Sequence, residues 1–376
     1  MERCQTEQIV RDLSVKMIFI VGPRQVGKTW LGTHIGKAFP DAVYLNYDNM
    51  RDAEMIRNHL WLPDAPLIIF DEIHKMKGWK THLKGIFDTK PDAQKILVTG
   101  SARLDTFRRS GDSLAGRFFV HRLLPFSLAE LAGTPYEHQL DRLLLRGGFP
   151  EPFLAEDDTM ATRWRSQYLD GLIRQDVLSF ERIHDLRTME LLVRMLRDRL
   201  GSPVSYSSLA RDLEVSPSTI KKFVEILEAL FIVFRVTPYS RNIARSLLKE
   251  PKIYFYDNGL VNGEGAKLEN LAAVSFLKYI WMQEDTSGVP HALQYLRTKD
   301  GREVDFCLVR DGIMHTMVEI KSSDSSPSKH LKYFSERHNA TAIQLVRHLR
   351  NEQVDGKVEI RKFGKYFHHL SGSPIS

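Results

Sequence analysis

The stretch Val15–Phe39, VKMIFIVGPRQVGKTWLGTHIGKAF, reads as strand, loop and helix. The apolar run from Val15 to Val21 suits a buried parallel strand. Gly22, Gly27, Lys28 and Thr29 then satisfy G-x-x-x-x-G-K-[ST]. The glycines let backbone N–H groups close around phosphates, and the N-terminus of the helix adds a favourable potential. The loop Gly22, Pro23, Arg24, Gln25, Val26, Gly27, Lys28, Thr29 and Trp30 is therefore the expected cradle for ATP. In that pattern Lys28 reaches the β- and γ-phosphates and Thr29 ligates Mg²⁺. An ordinary glycine-rich turn is the competing reading, and the flanking strand and helix disfavour it.

A phosphate loop needs a partner strand that ends in acid. APLIIFDEIHKM supplies one, with Leu67 to Phe70 apolar and Asp71 and Glu72 directly after them. Asp71 is placed to hold Mg²⁺ through water, and Glu72 to orient the attacking water as base. AVYLNYD is an intervening strand. KILVTGSA gives another buried strand, whose tip at Thr99 and Ser101 suits sensing of the γ-phosphate. GWKTHLKGIFDTKPD reads as an amphipathic helix with Trp79 and Phe87 in the core. A fifth strand begins within SLAGRFFVHRLLPFSLAEL, and Arg117 stands just before it. An arginine there is placed for a neighbouring subunit's γ-phosphate, where such a group contributes about 10³–10⁵ in rate. Glu72, Lys28, Ser101 and Arg117 form the expected catalytic set.

The chain of 376 residues is long enough for two or three domains. Its composition, 27% charged and 43% hydrophobic, is that of a globular protein. The net charge of +6 permits a polyanionic partner without demanding one. Cys4 and Cys307 are the only cysteines, which excludes a disulfide framework and points to a reducing cytoplasm. No apolar run reaches the roughly 18 residues of a membrane helix, and the N-terminus lacks a signal-peptide core.

GPRQVGKTW, LIIFDEIHK, LVTGSARL, SLAGRFF and LPFSLAEL resemble the AAA+ ATPases of bacteria and archaea that carry a C-terminal domain of unknown function. RGGFPEPF and LIRQDV fit the helical segment such proteins place next. The resemblance implies an α/β core with a parallel sheet in the order 5-1-4-3-2. It also implies a homo-oligomer in which one subunit completes the next one's site, a hexameric ring being one such assembly. The expected domains are an ATPase core over 1–137, a helical lid over 138–187, a winged helix-turn-helix over 188–262 and a nuclease-like domain over 263–376.

The winged helix is read from residues. A helix runs to Leu200, Gly201 stops it, SSLARDL is a short helix, and a longer one runs from Pro217 to Leu230. Ser216 is a good N-cap, with Pro217 at the first helical position. Ile220, Phe223, Val224, Leu227 and Leu230 keep helical spacing and belong to the core. FIVFRVTPYS and PKIYFYD are the two wing strands. In such a fold Ser218, Thr219, Lys221 and Lys222 face DNA, and Arg241 and Arg245 are wing contacts. Docking to a protein is the competing use of the same face.

REVDFCLVRDGIMHTMVEIKSS, residues 302–323, is a hairpin around Asp311-Gly312. Asp305, Glu319 and Lys321 fit D-x(n)-E-x-K, the signature of the restriction-endonuclease-like fold. Two such carboxylates hold Mg²⁺, and the lysine stabilises developing charge. Glu269, in the helix GAKLENLAAVSFLKYIW, resembles the extra acid that this fold often supplies. A two-residue turn pairs Asp305 with Val318 and throws Glu319 to the opposite face. A three-residue loop, Arg310-Asp311-Gly312, keeps Asp305 and Glu319 on one face, and that register is the expected one. An exposed polar hairpin face is the bland alternative. The histidines, His315, His368 and His369 among them, lack zinc-ligand spacing. The sequence thus points to an ATP- and Mg²⁺-dependent motor or switch acting on DNA. An ATP-gated nuclease and a protein-interaction ATPase are the alternatives.

Overall fold

A computed structural model describes residues 1–100, 114–177, 186–240 and 250–370. The chain divides into two compact units, Met1–Leu124 and Pro125–Ser376. In the first, five strands form one sheet: β1 (Met17–Val21), β2 (Val43–Asn46), β3 (Leu67–Asp71), β4 (Lys95–Thr99) and β5 (Phe118–Arg122). Every pairing is parallel, and the spatial order is β2-β3-β4-β1-β5. All five residues of β1 and all five of β3 are buried. A parallel sheet covered on both faces requires this, and it explains why these strands read as unbroken apolar runs. Trp79 is buried in a core with Phe19, Ile68, Phe70 and Leu83, and Phe87 packs against it.

The first unit ends at Leu124, and the three domains expected after residue 137 fall within the second. The reason lies in β6 (Val233–Pro238). Its first part pairs antiparallel with β7 (Lys252–Phe255). Its end, at Thr237 and Pro238, runs past β7 and pairs in parallel with Gln294 and Tyr295 of β8 (His291–Arg297). With β9 (Glu303–Arg310), β10 (Ile313–Lys321), β11 (Thr341–Val346), β12 (Gln353–Asp355) and β13 (Val358–Lys362) the sheet has eight strands, in the order β12-β13-β11-β10-β9-β8-β6-β7. Residues on both sides of the expected boundary at 262–263 therefore share one set of backbone hydrogen bonds.

Three helices precede β6: Leu186–Asp198, Tyr206–Asp212 and Pro217–Ala229. Ser216 caps the last, its hydroxyl accepting from the Thr219 N–H at 3.1 Å. Ile220, Phe223, Val224, Leu227 and Leu230 are buried. Asn270, on the helix Glu264–Ser287, secures β7 from its open side. Its side chain accepts from the Phe255 N–H at 2.8 Å and donates to the Phe255 carbonyl at 3.0 Å. A side-chain amide here does what a ninth strand would do.

The β9–β10 hairpin corrects the expected turn. Arg310 pairs with Ile313, so the loop is the two residues Asp311 and Gly312, both at positive φ (48° and 75°). A β-bulge at His315 then shifts the register, and Val318 meets Phe306. One step further along, Asp305 stands opposite Glu319. The same-face arrangement arises, but through the bulge and not through a three-residue loop.

Candidate functional site

The phosphate loop leaves the C-terminal end of β1 and enters the helix Lys28–Gly36. Gly22 has φ 153°, and a Cβ built on it would fall 2.1 Å from the Leu123 carbonyl oxygen, so only glycine fits. No side chain caps the helix, whose first residue comes directly after Gly27 at φ 96°. Its first-turn N–H groups are thus left for an anion. Lys28 is buried, and its Nζ donates to the carbonyls of Gly22 at 3.1 Å and Pro23 at 2.5 Å. Burial lowers its pKa to about 8, although Glu72 and Asp71 pull the other way. Within the loop Val26 is buried, while Gln25, Thr29 and Trp30 are exposed. The Trp30 ring stacks on His34 at 4.7 Å.

The ends of β3 and β4 are in register, Asp71 against Thr99. Three hydroxyls converge on Asp71. Thr99 donates to Oδ1 at 2.6 Å; Thr29 and Tyr44 donate to Oδ2 at 2.7 and 2.8 Å. Thr99 is fully buried, and its hydroxyl is directed to this carboxylate. Burial, then the hydrogen bond to Asp71, raises the Tyr44 phenol above its usual range. Glu72 comes next at φ 56°, a strained backbone for a residue with a side chain. Its N–H is tied to the Thr99 carbonyl at 3.1 Å. Its carboxylate lies 3.4 Å from Lys75 and 3.6 Å from His74. Burial raises its proton affinity. The donor set fits a Mg²⁺–triphosphate group: a lysine turned into the loop, and a hydroxyl and a carboxylate side by side.

Arg117 immediately precedes β5 and is level with the first residue of β1, where Met17 pairs with Phe118. The phosphate loop begins after the last residue of β1, one strand length away, roughly 16 Å for five residues. Arg117 is therefore at the far end of the sheet from its own loop. Its guanidinium forks onto Asp88 at 2.7 and 3.0 Å. Ser101 lies outside the described residues, as do Arg241 and Arg245.

In the second unit Glu269, Asp305 and Glu319 occupy neighbouring elements, but they do not gather as a ligand set. Lys252 on β7, which sequence reading missed, enters among them. Its Nζ lies 2.7 Å from Glu303, 3.6 Å from Glu269 and 3.7 Å from Asp305. Among the described residues no three His, Cys, Asp or Glu side chains are grouped so as to hold a metal ion. Asp305 Oδ2 accepts from the Ile320 N–H at 2.8 Å, and Asp305 and Phe306 together face Tyr295 in a bulge of β9. Tyr254 donates to Glu269 at 2.6 Å, and Lys321 pairs with Glu319 at 2.8 Å. Burial, then Asp305, pushes both Glu269 and Glu319 up to about 7. Burial opposes the charge on Lys252, yet Asp305, Glu269 and Glu303 together hold its pKa above the usual lysine value. The signal for Lys252 was a single lysine opening the otherwise apolar strand KIYF.

On the helix Pro217–Ala229, Ser218, Lys221 and Lys222 are exposed and Thr219 is half-buried. The Ser218 and Thr219 hydroxyls stand 2.7 and 2.8 Å from Ser216 Oγ, within the cap. The two lysines therefore present the accessible cationic groups of this turn.

Residues 14–132 match the family described as AAA domain. Residues 137–270 and 264–365 match two domains of unknown function, DUF8612 and DUF4143. An uncharacterised protein of Mycobacterium tuberculosis is 27% identical over 321 residues, which are 83% of this chain and 71% of that protein. One from Methanocaldococcus jannaschii is 22% identical over 370 residues, 87% of this chain and 81% of that protein. Among solved structures, a Walker-type ATPase of Pyrococcus abyssi covers 68% of this chain and 93% of its own, at 13% identity and TM-score 0.44. A RuvB variant of Thermotoga maritima covers 62% and 87%, at 16% identity and TM-score 0.32. The parallel sheet, the loop and acids at its C-terminal edge, and the AAA-domain match make the first unit a P-loop ATPase domain. Among the described residues no helix is long and apolar enough to cross a membrane.

Proposed function

We propose that the chain hydrolyses ATP with Mg²⁺ as a homo-oligomeric motor or switch, and that it acts on DNA. The observation that carries the reading is the Thr29–Asp71 contact at 2.7 Å beside the inward-turned Lys28. Thr29 and Asp71 would hold the Mg²⁺, which when bound neutralises phosphate charge during transfer. Lys28 binds the phosphates, and Glu72 orients water and takes up its proton. Arg117 cannot serve its own loop, so its use lies in a neighbouring copy, once released from Asp88. Lys221 and Lys222 support contact with a phosphate backbone, which gives affinity without sequence information.

The test is ATP turnover against Mg²⁺ and a panel of single-stranded, duplex and branched DNA. Lys28→Ala is expected to lose nucleotide binding. Glu72→Gln is expected to keep it while slowing turnover by roughly 10²–10⁴-fold. Undiminished turnover in Glu72→Gln removes Glu72 from its role. DNA retention that does not weaken with salt would argue against the phosphate contact and favour a protein partner.

A further inference from the structure

Lys252 is 1% exposed, although nothing apolar demands a lysine there. Its main chain is fixed from two sides. It pairs with Val236 of β6 and bridges to Pro203, and the adjacent Pro251 carbonyl accepts from the Val204 N–H at 2.8 Å. Its ammonium lies 5.4 Å from the centre of the Tyr295 ring and ends among Glu303, Glu269 and Asp305. The charge is thus delivered by a strand, not by a mobile surface side chain.

We infer that Lys252 is a tethered counter-ion: it occupies the place a divalent metal would take among Glu269, Asp305 and Glu319, so this cluster binds no catalytic metal and cuts no phosphodiester bond. Four of the six carboxylate oxygens already face a donor or a cation. Asp305 Oδ2 is taken by the Ile320 N–H, and Oδ1 faces Lys252. Glu269 Oε1 is shared by Tyr254 and Lys252. Glu319 Oε1 is held by Lys321. Glu319 Oε2 is buried without a hydrogen-bond partner among the described residues. Glu319 Oε2 and Glu269 Oε2 alone do not anchor Mg²⁺, which needs near-octahedral oxygen ligation at about 2.0–2.1 Å. A dication would also have to sit against an ammonium that cannot withdraw without baring Glu269 and Asp305 to one another, while Glu303 keeps Arg297. The cluster instead staples β7, the helix Glu264–Ser287 and β9 together. None of this depends on ATP hydrolysis in the first unit.

The test is uptake of Mn²⁺ by the full chain without nucleotide, read from the electron paramagnetic resonance of the free ion. Asp305→Asn serves as reference, so that any Mn²⁺ at the phosphate loop cancels. Wild type and Asp305→Asn are expected to take up the same amount, and neither to nick supercoiled plasmid DNA with Mn²⁺. Lys252→Met is expected to melt at lower temperature, to gain a Mn²⁺ ion, and to recover part of the lost melting temperature when Mn²⁺ is added. That gain should vanish in Lys252→Met/Asp305→Asn. Uptake or nicking by wild type that Asp305→Asn abolishes would overturn the inference. So would a folded Lys252→Met that gains no Mn²⁺, since Lys252 would then not be what fills the place. If Lys252→Met does not fold, the comparison of wild type with Asp305→Asn decides alone.

Discussion

Lys28 carries a pH dependence whose sign is set by its surroundings. Burial lowers its pKa to about 8 from 10.5, against the pull of Glu72 and Asp71 and with Arg24 adding to the burial effect. Below about 8 both folded and unfolded chains hold the proton, and the cost of burying the cation is fully present. Between the two values the unfolded chain binds more protons, so the contribution of Lys28 to stability improves as pH rises. A bound triphosphate reverses the preference and favours the cation. ATP binding at about pH 8.5, where ATP itself no longer titrates, should therefore take up protons. Calorimetry in buffers of different ionisation enthalpy reads this directly, and heats that do not depend on the buffer would refute it. The residues of this site differed in how well they could be read. Lys28, Thr29, Asp71 and Glu72 announce themselves by spacing. Tyr44 does not, and Thr99 stood out as a strand tip but not as a donor to Asp71, because a strand residue's partner on a neighbouring strand is set by the order of the sheet. Lys252 was hidden for the same reason: its carboxylates are contributed by a helix and a strand that come later in the chain.

At the level of elements, the β9–β10 hairpin shows where reading stops. Asp311-Gly312 marks the turn, and the alternation of the two strands is plain. The bulge is not, since nothing about His315 as a residue type calls for an unpaired position. Register is set by which face must be buried, and that face exists only once β8 and β11 flank the pair. Asn270 makes a similar point. In GAKLENLAAVSFLKYIW it looks like one polar residue among many, yet it is fully buried and satisfies both backbone groups of Phe255. Asn270→Leu leaves that N–H and carbonyl without partners, each a loss of about 1–3 kcal/mol. Chemical denaturation should show a loss of roughly 2–6 kcal/mol, and a change under about 0.5 kcal/mol would mean the edge of β7 is satisfied otherwise. The helix Pro217–Ala229, by contrast, was legible from end to end, because its cap and its apolar spacing are both local.

For the whole molecule, the break after Leu124 and the continuity beyond it matter most. The three domains expected after residue 137 track shifts in local pattern, and local pattern does not reveal that β6 outruns β7 and reaches β8. Strands β6 and β8 are separated in sequence by the helix Glu264–Ser287, yet they share one sheet. Asn262 and Gly263, which lead into that helix, are exposed. A protease that nicks the chain there should leave both halves held by the sheet and by Asn270. The nicked protein should elute as intact protein on gel filtration and show two bands only after boiling in detergent. Fragments that part in native buffer would mean that the β6–β8 pairing is too weak to count. The exposed link at 262–263 is thus a dispensable seam: a tag, a loop or a whole foreign domain could be spliced into it without dividing what the eight strands hold together.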